Sequence, residues 1–458
     1  MDLYSRNAEN ELLRRQKWLS KEQFSQMTII TGPRMSGKTS LAASLRQQCV
    51  KDGDGFLYFD LRDKSEPLMV YECTRQAEKA LDAFVPKTTL TMGLMLEFLF
   101  GLSELRAFTL VLDDFDDFVR KNPGFQESLH SLWKSKRRRT HMNLVIISCS
   151  PKVAESLPGT RIDLDYLSGK EISSILGMAD QKAGKEDLLA MYMVTGGCPS
   201  FVSEEIRCGA TRRDTIFRWV FSADSNFNGD IKGALADILG HNPEAYLSIL
   251  QLISLGFRTL PELEEKLGGI SLGGYLAKLE NEYCLVTKQR PILASPSSRN
   301  TVRYYMKGQQ MEFWFRYFFS WPDEAALGSW ESMRQRAEQD FRSYSKQVMV
   351  RFLRRKFLME NGITELGGDW KSTQLPRKKS GRYLQKDKLA QKSKRPEAVF
   401  ETDIIALDRK HRNALIADVE YDTAAFRKDE FKERVAEFAK GPLRGYTLDT
   451  RLFTLDDL

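Results

Sequence analysis

The chain has 458 residues, of which 42 % are apolar and 29 % charged, and its formal net charge is +7. That length predicts two to four domains with sizeable cores, and no apolar stretch reaches the roughly 18 residues of a membrane span. Six scattered cysteines and four histidines make no CxxC and no zinc-ligand spacing. The charged stretch "MDLYSRNAENELLRRQ" has no apolar leader core, so a reduced, cytoplasmic setting without a membrane partner is the expectation.

In chain order, the first informative stretch is "TIITGPRMSGKTSL". Met27 to Ile30 reads as a buried strand and Ser40 to Gln47 as a helix. Between them Gly32, Pro33, Arg34, Met35, Ser36, Gly37, Lys38 and Thr39 fit the P-loop pattern G-x-x-x-x-G-K-[ST]. Its glycines let backbone N–H groups turn inward toward phosphate oxygens, and the helix opening at Ser40 adds its positive N-terminal end. Lys38 is expected on the β- and γ-phosphates and Thr39 on Mg2+. A glycine turn with a chance Lys-Thr is the plain alternative, and the placement between strand and helix speaks against it.

Gly55 to Arg62 reads as a further strand. "FTLVLDDFDDF" is another, ending in Asp113 and Asp114. Asp113 is the expected Mg2+ carboxylate, on a strand neighbouring the loop strand, and Asp114 the residue that orients or activates water. Aspartate is one methylene shorter than the glutamate many ATPases carry there, which predicts slow hydrolysis. Asp116 and Asp117 open a helix, where acids suit the dipole, and are expected at the surface. "KSKRRR", Lys134 to Arg139, is either solvated surface or a nucleic-acid contact. "NLVIISCS" is the next strand, with Ser148 at its tip either a γ-phosphate sensor or an ordinary strand end. "GTRIDLDYLS" is the last. Strands alternating with helices predict an α/β fold with a doubly wound parallel sheet.

The order of "LYSRNAENELL", the P-loop, "LVLDD", "NLVIISCS", "RIDLDYLSGKEISSIL" and "VTGGCPSFV" resembles the archaeal-type ATPases of the signal-transducing P-loop class, which also occur in bacteria. The resemblance covers most of residues 1 to 240. It implies ATP and Mg2+ as cofactors, an adenine-flanking motif with Arg6 and Glu9, and a G-x-P element, Gly197-Cys198-Pro199, whose Pro199 contacts the base from a helical lid. Ser5 stands where Gly or Asn is usual before the arginine, a small departure. The expected domains are an ATPase core over 1–168 and a lid over 169–240.

From Pro243 to Gly268 the apolar spacing is helical, then broken by glycine, then helical again. A third helix follows through Tyr275, Leu276 and Leu279, then two short strands. Three helices and a hairpin spell a winged helix-turn-helix over 241–322. The third helix carries Lys278, Glu280, Asn281 and Glu282, a balanced charge; packing against the ATPase and contact with DNA are both open. The aromatic run Phe313 to Trp321 is too short to span a bilayer and is expected to seal an interdomain core.

Over 335–458 a helix "FRSYSKQVMVRFLRRKF", the basic stretch Pro376 to Pro396, two strands joined by a charged turn, and a last helix resemble the α/β PD-(D/E)XK nuclease-like domain usual behind these ATPases. The resemblance places Asp403 on the first acid and Asp418 on the second. Glu420 then stands where the lysine belongs, and Met349-Val350 where phenylalanine-glutamate is usual. A carboxylate in place of an ammonium removes the cation that assists the nucleophile. A degenerate, silent nuclease fold is the expectation, able to bind DNA through Lys378, Lys379, Lys394 and Arg395, with metal binding by Asp403, Asp418 and Glu420 an open point. The function expected is a Mg2+-dependent ATPase acting as a nucleotide-driven switch. An ATP-coupled DNA nuclease and an ATP-responsive DNA-binding regulator are the alternatives. A protein partner or homo-oligomer belongs to the same reading, with Arg137, Arg138, Arg139 and Arg161 as candidates to reach a neighbour's γ-phosphate.

Overall fold

A computed structural model describes residues 7–62, 64–240, 242–294, 302–361, 363, 365–370 and 401–458. Arg6, Lys378, Lys379, Lys394 and Arg395 lie outside the described residues. The chain forms two compact units, Met1–Tyr166 with Cys198–Ser200, and Leu167–Gly197 with Phe201–Leu458.

The first unit is built on five parallel strands: β1 (Gln26–Thr31), β2 (Gly55–Asp60), β3 (Phe108–Asp113), β4 (Met142–Ser148) and β5 (Thr160–Asp163). Their order across the sheet is β2-β3-β4-β1-β5. Every residue of β3 and β4 is buried, as expected of strands covered on both faces. Successive side chains point to opposite faces. Ile30, Val111 and Val145 therefore pack with Leu13, Leu41 and Leu45 of the helices Asn7–Glu22 and Lys38–Lys51. Ile29, Leu110 and Leu144 pack on the other side with Met69, Leu99 and Trp133. One expectation is corrected: the strand carrying Asp113 is not a neighbour of the loop strand. β1 pairs with β4 and β5, and β4 lies between β1 and β3. A strand met later in sequence has been inserted, which local pattern cannot reveal.

The second unit opens with helices, among them Lys185–Thr195, Arg213–Val220 and Phe227–Leu239. Its middle holds the helices Glu244–Ser254, Leu260–Lys266 and Gly273–Asn281 and an antiparallel ribbon of β6 (Val286–Gln289) and β7 (Arg303–Met306). A Thr259/Glu262 capping box opens the second of these helices. In the third, Leu276 and Leu279 are buried, while Tyr275 stays 37 % exposed against the edge of Tyr246. The aromatic run packs within this unit: Phe313 meets Phe217, Phe221 and Phe227, and Phe318 stacks on Phe221. Phe315–Phe319 takes a π-helical turn.

The helix read from residue 341 begins earlier, at Trp330, and runs to Asn361. Residue 335, where the last domain was expected to open, falls inside it. The reason lies in its first half, where Asp340 accepts from Arg316 Nε at 2.6 Å and from the Tyr317 hydroxyl at 2.8 Å. Its second half packs on a four-stranded sheet, β11-β10-β9-β8, made of β8 (Leu366–Trp370), β9 (Glu401–Asp408), β10 (Asn413–Val419) and β11 (Thr447–Phe453). β9 is antiparallel to β8 and β10, and β10 and β11 run parallel. Helix Lys428–Lys440 buries Phe431 and Phe438 in a core with Ile405 and Ile416. Among the described residues no helix is long and apolar enough to cross a membrane.

Candidate functional site

The loop after β1 is shaped by its glycines and by the residues facing it. Gly32 has φ 149°, and a Cβ there would lie 2.0 Å from the Leu164 carbonyl oxygen. Gly37 has φ 93° with open space where its Cβ would stand. Between them Met35 is also left-handed, at φ 64°. The Tyr166 hydroxyl donates to the Arg34 carbonyl at 2.8 Å, and the Cys198 thiol donates to that of Met35 at 3.4 Å. Pro199, the next residue, is buried at the start of helix Pro199–Arg207.

The first helical bond after the loop runs from Leu41 N–H to the Gly37 carbonyl. The N–H groups of Lys38, Thr39 and Ser40 therefore have no partner within the helix. Ser36 Oγ is buried and lacks a hydrogen-bond partner. The Lys38 ammonium donates to the carbonyls of Gly32, 3.0 Å, and Pro33, 2.6 Å, and so sits inside the arc of the loop. Helix-start N–H groups without an intrahelical partner, an orphaned hydroxyl and an ammonium held by the loop's own backbone fit a phosphate chain.

Thr39 and Asp113 meet despite the strand between them: the threonine hydroxyl donates to Asp113 Oδ2 at 2.9 Å. The same oxygen accepts from the Tyr58 hydroxyl at 2.5 Å. Burial and the neighbouring carboxylates push the Tyr58 phenol far above its ordinary value, so it stays a donor. A hydroxyl and a carboxylate at hydrogen-bond distance are a donor set that suits Mg2+, an oxygen-binding ion.

Asp114 adopts the left-handed conformation, φ 51° and ψ 41°. Its carboxylate lies 2.8 Å from Arg62 Nε and 3.9 Å from Arg34 Nη1. Burial, then the charge of Asp113, raises its pKa to about 6 against the pull of the two arginines. Tyr58 and Arg62 were missed in the sequence. They belong because β2 pairs with β3 in a register that sets Asp60 opposite Asp113. The order "YFDLR" offered two candidate side chains but no sign of which strand they would face.

Asp116 and Asp117 are not the free surface acids expected. Asp116 accepts the Cys149 N–H at 2.9 Å, tying the tip of β4 to the helix after β3. Asp117 is 6 % exposed and pairs with Arg120 and Lys121. Ser148 lies opposite Thr31 of β1 and is buried, its hydroxyl accepting from Ser150 N–H at 3.0 Å.

A second polar cluster sits in the C-terminal sheet. Asp403 of β9 accepts from Val419 N–H at 2.9 Å. Asp418 pairs with Arg434, and both are buried. Glu420 was expected to leave this cluster without its ammonium, yet one is present. Lys346, from the long helix, brings Nζ to 2.6 Å from Glu420 Oε1 and 3.4 Å from Asp403 Oδ2. Three carboxylates thus meet two built-in cations. Burial, then Asp403, raises the pKa of Asp418 to about 6, with Arg434 opposing. Among the described residues no three His, Cys, Asp or Glu side chains form a group that could hold a metal ion.

No protein-family model matches the sequence. No curated protein is significantly similar to it. Among solved structures, the chain is similar to the Aeropyrum pernix ORC1 protein in complex with DNA, at TM-score 0.39 and 19 % identity over 67 % of this chain and 90 % of that one. It is also similar to the Aeropyrum pernix ORC2 protein in ADPNP-ADP complexes, at TM-score 0.35 and 16 % identity over 66 % and 89 % of the two chains. Cdc6p of Pyrobaculum aerophilum gives TM-score 0.35 and 15 % identity over 73 % and 95 %. Likeness at this level leaves the function to the chemistry of the chain's own residues.

Proposed function

We propose that the first unit binds ATP with Mg2+, hydrolyses it slowly, and serves as a nucleotide-driven switch for the second. The observation that carries this reading is the convergence of Lys38, Thr39, Asp113 and Asp114 at the ends of β1 and β3. Lys38 exchanges its two loop carbonyls for β- and γ-phosphate oxygens. Thr39 and Asp113 hold Mg2+, which supplies charge neutralisation of the phosphates when bound. Tyr58 fixes the Asp113 carboxylate. Asp114 orients the attacking water, and Arg62 holds its carboxylate until the nucleotide draws the arginines away. Arg6 and Pro199 flank the base, in keeping with the resemblance.

Asp114 gives this reading a pH signature. A carboxyl with a pKa near 6 can accept a proton from water only above that pH. The free site's titration shows in kcat/KM, which is expected to rise with pH through about 6, and Asp114→Asn to lose that limb along with ten-fold or more of kcat/KM. A profile flat from pH 5 to 8 in the wild type would remove Asp114 from the role.

In the second unit, residues 241–322 act as a winged helix, a reading supported by the three helices and ribbon. The C-terminal sheet is a nuclease-like domain without cleavage, because Lys346 and Arg434 occupy the carboxylates that a catalytic metal would need. DNA cutting by purified protein with Mg2+ or Mn2+, lost in Asp403→Ala, would contradict this. Lys378, Lys379, Lys394 and Arg395 are the candidates for contact with DNA phosphates, and a salt-dependent shift of DNA mobility that responds to ATP is the sign to look for.

A further inference from the structure

We infer that the helix Lys185–Thr195 is the rod that couples nucleotide occupancy to the acidic cluster of the C-terminal sheet; the inference rests on the switch proposed above. Every residue of that helix from Asp187 to Thr195 is buried. Eleven residues at about 1.5 Å each make a rod of roughly 16 Å. A helix packed on all sides has little room to bend, so it passes on a displacement as a rigid body.

Both of its ends are tied to chemistry. At the C-terminal end the chain turns through Gly196, φ 60°, and Gly197, φ 78°. A Cβ on Gly197 would come within 2.4 Å of the Leu167 carbonyl, and Leu167 N–H donates to the Gly197 carbonyl at 2.8 Å. This turn has no slack, and it continues covalently into Cys198, whose thiol bonds the Met35 carbonyl of the P-loop. At the N-terminal end, Glu186 accepts from the Tyr421 hydroxyl at 2.8 Å and pairs with Arg213 at 2.5 Å. Tyr421 directly follows Glu420, the partner of Lys346. Arg213 also lies over the Phe341 ring, which meets Tyr421 edge-on. Lys185 bonds the carbonyl of Leu458. The chain thus runs without a break from this helix, whose N-terminal end bonds Tyr421 beside Glu420, into Cys198, the residue that bonds the phosphate loop.

Coupling of this kind is reciprocal in binding. Cutting the far end of the rod must change nucleotide affinity at the near end. Tyr421→Phe and Glu186→Gln each remove the bond without removing bulk, and neither residue belongs to the nucleotide site. Each is expected to shift the ATP dissociation constant of the full chain several-fold, and the double variant to shift it no further than the stronger single one. In the wild type, ATP is expected to change amide-hydrogen exchange over residues 413–422; in Lys38→Ala it is not. If the wild type binds ATP and Lys38→Ala does not, yet exchange over 413–422 is unmoved and both variants keep wild-type affinity within two-fold, the coupling is overturned while the switch site stands. A wild type that does not bind ATP overturns both.

Discussion

Gly32→Ala is expected to collapse the first unit's stability, whereas Gly37→Ala, in the same loop, is expected to be tolerated. The added methyl of Gly32→Ala would stand 2.0 Å from a backbone oxygen, that of Leu164. That oxygen cannot retreat freely, because Leu164 N–H is bonded at 2.7 Å to the Thr31 carbonyl at the end of β1. Relief requires moving β5 away from β1, so the cost is on the order of 3–5 kcal/mol. For a unit of this size that is roughly 10 °C or more in melting temperature. At Gly37 the methyl meets nothing, and only the left-handed backbone is strained, about 1–2 kcal/mol. Thermal unfolding of the two variants side by side checks this. Equal, small losses would mean that the loop does not pass beneath Leu164.

Arg434→Leu, on the helix Lys428–Lys440, is expected to be the most damaging change to the C-terminal sheet and the helix on it. It strips the cation from Asp418, whose other oxygen, Oδ1, is already buried without a partner. Breaking a buried pair by removing one member costs about 3–5 kcal/mol, because the remaining charge is uncompensated. The pH dependence has a definite sign. In the folded wild type Asp418 titrates near 6, above its ordinary 3.8. The folded state therefore binds more protons than the unfolded between those values, and the carboxyl's contribution to stability falls as pH rises through that window. Without Arg434 the folded pKa climbs further, so the variant should be weakest at neutral pH and recover as pH falls from above 6 toward 3.8. Arg434→Leu with Asp418→Leu should regain most of the loss at pH 7. Denaturant unfolding at pH 5 and pH 7.5 measures both effects; a loss independent of pH would assign the damage to packing.

What could be read from sequence divides along a physical line. The loop from Gly32 to Thr39 was legible because its chemistry is local: eight consecutive residues carry the turn, the ammonium and the hydroxyl. Asp113 and Asp114 were legible as a strand end. The order of the strands was not, since parallel neighbours are set by crossover helices and not by adjacency in the chain. Tyr58 and Arg62 entered the site only through the pairing of β2 with β3. The need for glycine at position 32 was visible, but its steric cause, Leu164, was not. Lys346 shows the same limit. An ammonium missing beside Asp418 in the sequence arrives from a helix that starts far upstream, so its absence at position 420 does not leave the cluster without cations. Asp116 and Asp117 were misread because an acid at a helix start is ordinarily solvated; nothing local announced that Cys149 N–H would meet Asp116, whereas Arg120, three residues after Asp117 on the same helix, was a partner the spacing offered.

The central claim is that the first unit holds ATP through Lys38 and Mg2+. Its most direct test is calorimetric titration of ATP into the purified chain, with Mg2+ and with a chelator, for the wild type and for Lys38→Ala. The account predicts binding of one ATP that weakens sharply without Mg2+ and is lost in Lys38→Ala while the variant stays folded. Binding that Lys38→Ala leaves intact, or no binding by the folded wild type, would contradict it.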